Sequence, residues 1–457
     1  MNSVQSSVTS NQLEEKRSLP EGWVWTTIGE VTSPVEKVSP EQKPDVPFVY
    51  IDISSIDNSI QKIVEPKEYL GSEAPSRARQ LVRANDVVFS TVRTYLKNVA
   101  LVPKTYDGQI ASTGFSVLRA NDSVQSKFLF YFTLTDEFLS PLNELQRGTS
   151  YPAVRDGDVR VQSLPLPPLP EQERIVARLE ELLSDLEAGV AALERVRLGV
   201  KRYKASVLKA AFEGRLVHQE EFGEPATVLL ERVLGRDYAV EIAPSESSKV
   251  PYAPPGWAYG KLENLIYIAG RIGWRGLKAD EYTQGGPLFL SVYNLNKGDH
   301  VDFSDVHHIS QERYDESPEI MLRESDILLA KDGAGIGKIG IVKDLLGQAT
   351  VNSSLLVIRA SEIFIPEFLF YLLKGPQMQD IVRARIAGSA TPHLFQRDIK
   401  QFTLLIPPLE EQRRIVAEVE RRLESARAVE SAVEVGLKRA GRLRQAMLRS
   451  AFEGRLG

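Results

Sequence analysis

Apolar positions follow two rhythms along this chain. Between Glu171 and Phe212 they fall at Ile175, Leu179, Leu182, Leu186, Leu193, Val196, Val200, Tyr203 and Val207, with Gly189 and Ala210 in the remaining slots. The steps alternate four and three, which is the heptad seam of a long amphipathic helix. A second seam runs through Ile415, Val419, Ala426, Val429, Val433, Gly436, Ala440, Leu443 and Met447, with Arg422 as its one polar intrusion. The first stretch contains no proline and only two glycines. Pro170 precedes it, and Glu171 and Glu173 suit the positive end of a helix. Gly214 and Gly454 stand where a C-terminal stop belongs. At a rise of about 1.5 Å per residue, such a rod is roughly 63 Å long.

The other rhythm is short apolar runs broken by turns. Val87–Ser90 and Ile327–Ala330 read as buried strands, as do 99–102 and 339–342, while 126–134 and 366–373 read as short helices. The fold expected is α+β, a mixed α/β class, with two globular domains joined by two long antiparallel coiled-coil helices. The divisions expected are a disordered tail (1–18), a first domain (19–169), a first rod (170–216), a linker (217–253), a second domain (254–409) and a second rod (410–457). Within the linker, Ala226–Leu234 suits one short helix, and the serine- and proline-rich stretch after Pro244 suits none.

These paired rods and domains arise because the chain repeats itself. At one offset of 240 residues, Pro47-Phe48 answers Pro287-Leu288, Phe128-Leu129-Phe130-Tyr131 answers Phe368-Leu369-Phe370-Tyr371, and Pro167-Pro168-Leu169 answers Pro407-Pro408-Leu409. Ala-Phe-Glu-Gly-Arg-Leu closes both copies, at 211–216 and 451–456. Two copies are too few for a solenoid and suggest a pseudo-dimer in one chain. Charge sets the polarity of the rods. Residues 171–187 hold six acids and two bases, whereas 428–457 hold three acids and six bases. An antiparallel pair sets the acidic start of one against the basic end of the other. The copies have diverged unevenly. The rods (170–216 against 410–456) match at 19 of 47 positions, and a central part of the domains (83–119 against 323–359) at 5 of 37. The rods do one job twice, while the domains share a framework and carry different surfaces.

Composition excludes several classes. The 457 residues include no cysteine, which removes disulfide scaffolds and thiolate zinc sites. No apolar run is long enough for a membrane span, and the polar start lacks the core of a signal peptide, so the cytosol is the expected compartment. A net charge of -5 argues mildly against a free-standing nucleic-acid binder, but says little about local patches.

Candidate chemistry lies in loops. After the strand at Val87–Ser90 come Arg93, Tyr95, Lys97 and Asn98, and the matching loop offers Lys331, Asp332 and Lys338 among bare glycines. Before the rods lie Arg147, Ser150, Tyr151 and Arg155 in one copy, and Ser389, Thr391, His393, Gln396 and Arg397 in the other. Thr113, Asn352 and Ser353 are weaker candidates. Cations and free N–H groups suit phosphate, and Arg, Asn, Gln and Asp suit base edges. Ordinary solvated turns are the competing reading. The run from Gly335 to Gly340 fits the dinucleotide glycine pattern, but no long crossover helix follows it, and its twin has no glycines. His307-His308 is a poor metal pair, because neighbours on a strand face opposite ways. No Walker sequence and no Asp/Asn-Pro-Pro-Tyr methylation motif is present.

Over essentially its whole length the chain resembles the specificity subunits of type I restriction-modification enzymes. The resemblance rests on the Leu-Pro-Glu-Gly-Trp opening at 19–23, on Pro-Pro-Leu-Pro-Glu-Gln-Glu-Arg-Ile-Val at 167–176 with its twin at 407–416, and on the two closures. It implies that each domain is a target-recognition domain reading one half of a bipartite, asymmetric site in double-stranded DNA. It implies methyltransferase subunits, two of them, docked on the chain, and restriction-translocase subunits joining through them. The chain itself is then non-catalytic and binds no cofactor directly, with S-adenosylmethionine, ATP and magnesium on the partners. Two other classes stay open on the residues alone: a protein-protein adaptor, and a nuclease in its own right.

Overall fold

A computed structural model of the chain describes residues 18–219, 223–235, 253–271, 277, 279–387 and 393–456. The tail expected at 1–18 lies almost wholly outside the described residues, as do residues 236–252. The chain divides into two compact units. One comprises the residues up to Glu194 together with those from Glu434 onward, and the other comprises Arg195–Val433. Each unit therefore holds one globular domain, the near half of one rod and the far half of the other.

The rods are single helices, Leu169–Phe212 and Leu409–Phe452, each of 44 residues. Their polarity follows from contacts within each unit. In the first unit, Ile175 near the start of one helix shares a core with Phe452 at the end of the other. Further along, Leu193 lies against Gly436, where a Cβ would sit 3.0 Å from Leu193 Cδ1. In the second unit, Lys204 pairs with Glu430, and Phe212 shares a core with Ile415 and Val419. Advancing on one helix means retreating on the other, so the pairing is antiparallel, as the charge distribution suggested.

The seam differs from a simple heptad stripe. Ile175, Leu179, Val200 and Val207 are buried, but so are Val176, Leu183, Leu208 and Ala211. Val196, Tyr203, Val429 and Leu443, all expected in the seam, are more than two-fifths exposed. The reason is that each helix end meets a partner helix and a globular domain together, so the apolar face widens there. Nearer the middle the contact with the domain becomes polar, as where Arg427 pairs with Asp299 at 2.8 Å, and small residues such as Gly436 bring the partner helix close.

The two domains repeat one topology. In the first, Thr32–Ser33, Phe115–Ala120, Val87–Ser90 and Val99–Leu101 form an antiparallel sheet in that order. In the second, Ile266–Gly270, Leu355–Ala360, Ile327–Ala330 and Ile339–Ile341 do the same. A second sheet in the first domain sets Pro47–Ile51 parallel to Ile110–Ser112, and its counterpart sets Thr283–Leu290 parallel to Ala349–Val351. The helix Ser126–Phe132 buries Phe128, Leu129 and Phe132, and Phe128 meets Phe452 with ring centroids 4.8 Å apart. Phe368 and Phe212 repeat that contact at 5.4 Å.

The few identities between the domains are structural. Asp86 is buried and takes a two-pronged ion pair from Arg119, with Nε at 3.0 Å and Nη2 at 2.8 Å, while the Arg83 N–H donates to it at 2.8 Å. Asp326, Arg359 and Arg323 repeat the arrangement at 2.6, 2.6 and 2.8 Å. Helix Ala226–Leu234 forms as expected, and its Ala226, Leu229 and Leu230 are buried in the core of the second domain. The stretch between the repeats is thus partly an integral piece of that domain.

Candidate nucleic-acid interface

In each domain a backbone bridge ties the two candidate loops together. Val92 pairs with Ala153 in the first domain and Asp332 with His393 in the second. The loops are some 60 residues apart in sequence, and the equivalent N–H to O bonds are close in length: Val154 to Thr91 and Leu394 to Lys331, both 2.9 Å. Each bridge lies beyond the end of a buried central strand, Val87–Ser90 or Ile327–Ala330. The sheet therefore holds the loops from below and leaves their tips to solvent.

In the first domain the tip is built on Arg93. Its backbone is left-handed, at φ 50°, and its N–H donates to the Pro152 carbonyl at 2.7 Å. Nη2 donates to the Ser150 carbonyl at 2.8 Å, and the guanidinium lies 4.9 Å from the Tyr151 ring centre. Nε is buried without a hydrogen-bond partner. Tyr151 is 73% exposed, and Tyr95, Arg147, Ser150 and Arg155 are exposed as well. Such a tip offers an aromatic face, a fixed cation and further donors. Lys97, at φ 54°, faces Asp136 at 3.5 Å, a distance that leaves its charge largely to solvent. Asn98 lends its backbone carbonyl to Ser90 at 3.0 Å. Thr113 is exposed on a separate turn, held by an N–H bond to Arg77 at 2.9 Å.

The second domain uses the same frame differently. Asp332 accepts from Lys331 at 2.6 Å and contacts His393 Nδ1, so both side chains are turned onto one carboxylate. Lys338 is exposed and reaches Asn296 at 2.6 Å. Near it, hydrogen bonds from Lys297 and Ser304 hold the Asp302 carboxyl down at about 2. Gln396 and Arg397 begin the short helix Gln396–Lys400, with Arg397 exposed. Asn352 caps its own turn by accepting from the Ser354 N–H at 3.1 Å, and Ser353 is exposed. Ser389 and Thr391 lie outside the described residues.

The structure also adds side chains that the loop-by-loop reading passed over. Phe395 is 41% exposed, with Arg397 over its ring at 4.7 Å and Arg385 at 5.7 Å. Arg271 comes from a distant strand end to the same cleft. An exposed aromatic next to Gln396-Arg397 was the available signal for the first, whereas nothing local marked the second.

The remaining motifs resolve into structure. The glycines at 335–340 serve packing: a Cβ at Gly335 would meet Val292 at 2.3 Å, and one at Gly337 would meet Val382 at 2.8 Å. A strand, Ile339–Ile341, follows them instead of a helix. His307 stacks on Tyr282 at 4.3 Å, while His308 Nδ1 contacts the Gly286 carbonyl at 2.9 Å, so the two rings serve different partners. Among the described residues no group of three metal-ligating side chains converges, and no helix is long and apolar enough to cross a membrane.

Comparison with known proteins bears on the same two domains. The family described as type I restriction modification DNA specificity domain matches twice, at residues 20–195 and 257–424. The EcoBI specificity subunit of Escherichia coli is 28% identical over 342 residues, spanning 74% of this chain and 68% of the relative. The EcoKI specificity subunit of Escherichia coli K12 is 23% identical over 455 residues, spanning 96% and 90%. The crystal structure of the HsdS subunit from Thermoanaerobacter tengcongensis is 33% identical with a TM-score of 0.51, covering 97% of this chain and 99% of that one. A chain from a structural study of type I assembly and conformational transition is also 33% identical, with a TM-score of 0.71, covering 96% and 100%. With two copies of the matching domain on one frame of paired helices, this chain belongs to the family of type I restriction-modification DNA specificity subunits.

Proposed function

We propose that this chain is the DNA-reading subunit of a type I complex, that it binds a bipartite asymmetric site, and that each domain reads one half. The observation that carries this reading is the shared loop bridge with unlike side chains on it: Arg93 and Tyr151 in one domain, and His393, Phe395 and Arg397 in the other. A symmetric pair of active sites would need like chemistry at like positions. The residues offered for contact are those of the paired loop tips, with Thr113, Asn352 and Ser353 at their margins.

On this reading the rods serve as a ruler. A helix of roughly 63 Å is close to two turns of B-DNA at about 34 Å each, so both readers meet the same side of the duplex. The unread spacer then becomes a property of rod length. The antiparallel polarity gives a pseudo-two-fold that suits the local symmetry of DNA. The chain is non-catalytic by itself and acts in the cytoplasm. Two methyltransferase subunits dock on it and restriction-translocase subunits join through them, so that S-adenosylmethionine, ATP and magnesium belong to those partners.

Inserting four residues into one rod tests the ruler directly. Methylome sequencing of a host carrying the variant with its methyltransferase should return both half-sites unchanged with an altered spacer. An unchanged spacer refutes the ruler. Retention of two unrelated half-sites supports the paired readers even so, whereas a purified chain that binds no DNA and captures only protein would favour the adaptor.

A further inference from the structure

We propose that the second domain grips a backbone phosphate of DNA in a cleft between Arg271 and Arg397. The cleft is about 400 Å³ and is lined by Arg271, Lys331, His393, Phe395, Gln396 and Arg397. The inference rests on the reading of both domains as DNA readers and deepens it for one of them.

Charge assignment within the cleft comes first. Lys331 and His393 are both engaged with Asp332. Arg385 is engaged with Asp398, which is almost wholly buried. Arg271 and Arg397 have no carboxylate partner among the described residues. Arg271 Nη1 is sealed from solvent and has no hydrogen-bond acceptor. With one nitrogen unsatisfied inside, the guanidinium is a poorly compensated charge at the cleft wall, which an anion in the cleft stabilises through space. Arg397 is held in place by stacking on Phe395, which leaves its donor edge available. Two guanidinium groups lining one cleft suit a phosphate, because a guanidinium carries paired donors for its oxygens.

Steric room is also specified. At Gly270, beside Arg271, a Cβ would meet Leu356 at 2.9 Å and would point toward the Gln396 amide at 3.8 Å. The glycine therefore keeps the cleft floor clear.

One wall of the matching place in the first domain differs in charge. By the shared offset of 240, His393, Gln396 and Arg397 correspond to Ala153, Asp156 and Gly157. Asp156 accepts from Ser116 at 2.5 Å and pairs with Arg160 at 2.7 Å, and Gly157 has no side chain to offer. By strand register Arg271 answers Lys37, so both copies carry a cation there, and the copies differ at Gln396 and Arg397, which answer Asp156 and Gly157.

The test uses the full chain, and as probe a fluorescent duplex carrying the site that the chain selects from a random-sequence library. Arg271→Gln and Arg397→Gln should each weaken binding about tenfold and lower the slope of log affinity against log salt by about one. Arg397→Lys should recover most of that slope. Arg397 is exposed, so its variant stays informative should Arg271→Gln fail to fold, which thermal melting detects. Arg93→Gln in the first domain separates the possible failures. If Arg93→Gln weakens binding while both cleft variants bind with unchanged affinity and slope, the cleft proposal falls alone. If the chain selects no site from the library and binds no duplex, the DNA-reading function falls with it. Inorganic phosphate that binds the chain and loses its site in Arg397→Gln, while duplex affinity and salt slope stay unchanged in that variant, would assign the cleft to a free anion and overturn the proposal.

Discussion

Gln172 Oε1 accepts the backbone N–H of Gln125 at 2.8 Å, and this bond pins the start of the first rod to the first domain. The same side chain donates to the Ser123 carbonyl at 3.0 Å and to the Pro167 carbonyl at 2.9 Å. Gln412 repeats the clamp with Ile365, Ile363 and Pro407 at 2.8, 2.9 and 3.0 Å. Both glutamines are fully buried. The Gln of the repeated entry motif is thus a joint between rod and domain.

Replacing Gln172 by Ala takes that partner from the part-buried Gln125 N–H, the buried Pro167 carbonyl and the more exposed Ser123 carbonyl. The expected cost is about 2–4 kcal/mol, at roughly 1–3 kcal/mol for each strongly desolvated group. Urea unfolding followed by circular dichroism measures it. A loss below about 0.5 kcal/mol, the level of an ordinary surface change, would show that the clamp is incidental.

Asp86→Asn should be damaging in a different way. It leaves Arg119 facing a neutral amide in a site where the acid is buried and the arginine is one-quarter exposed. Breaking a buried pair costs about 3–5 kcal/mol, and the partial exposure of Arg119 points to the lower end of that range. Asp326→Asn should match it, because Arg359 is placed alike. Thermal melting of the two variants side by side checks both the size and the equivalence.

Gly454→Ala and Gly214→Ala address the helix stops. Gly454 has φ 71°, and a Cβ there would sit 2.4 Å from Pro20 Cγ. Gly214 has φ 67° and the same 2.4 Å conflict with Pro254. Left-handed strain and the clash act together, so each change should cost about 2 kcal/mol or more. In Gly189→Ala a Cβ meets nothing within 4 Å, so this variant should be neutral or slightly stabilising on a helical backbone. Differential scanning calorimetry distinguishes the two kinds of site.

Acid should weaken the second rod through Glu418. Hydrogen bonds from Arg421 and Arg422 lower its carboxyl from 4.5 to about 2. A carboxyl lowered on folding adds stability that is present above the unfolded value and is lost as pH falls through the folded one. Its contribution should therefore fade from about pH 4.5 down to about 2. Asp302, lowered from 3.8 to about 2 beside Lys297, acts over a similar window. Glu418→Gln should flatten the fall of melting temperature across that range. Unchanged steepness would place the acid sensitivity elsewhere.

Much of the architecture was legible because it depends on periodicity. Heptad spacing marked both rods, the repeated closures marked their ends, and Val87–Ser90 and Ile327–Ala330 stood out as unbroken apolar runs. The seam was read less well. Val196 and Tyr203 occupy heptad positions and yet are exposed, while Leu183 and Leu208 are buried off the stripe. A heptad rule assumes one partner, and the rod ends have two.

The candidate loops were found by residue type, but their pairing was not. Nothing near Val92 announces Ala153, and nothing near Gly270 announces that Arg271 joins Phe395 and Arg397. The asymmetry of the two tips shows in the sequence as poor identity, whereas its chemical meaning depends on which charges are already engaged.

The sequence alone determined the duplication, the two rods, their opposed polarity and the presence of two unlike heads, because each follows from local spacing or from the sign of charge along one element. The tertiary structure alone decided which side chains meet: the Gln172 and Gln412 joints, the bridge between loops, and the two arginines that line one cleft. Those contacts join residues far apart in the chain, where burial and hydrogen-bond geometry exist only after the sheets and rods have closed around them.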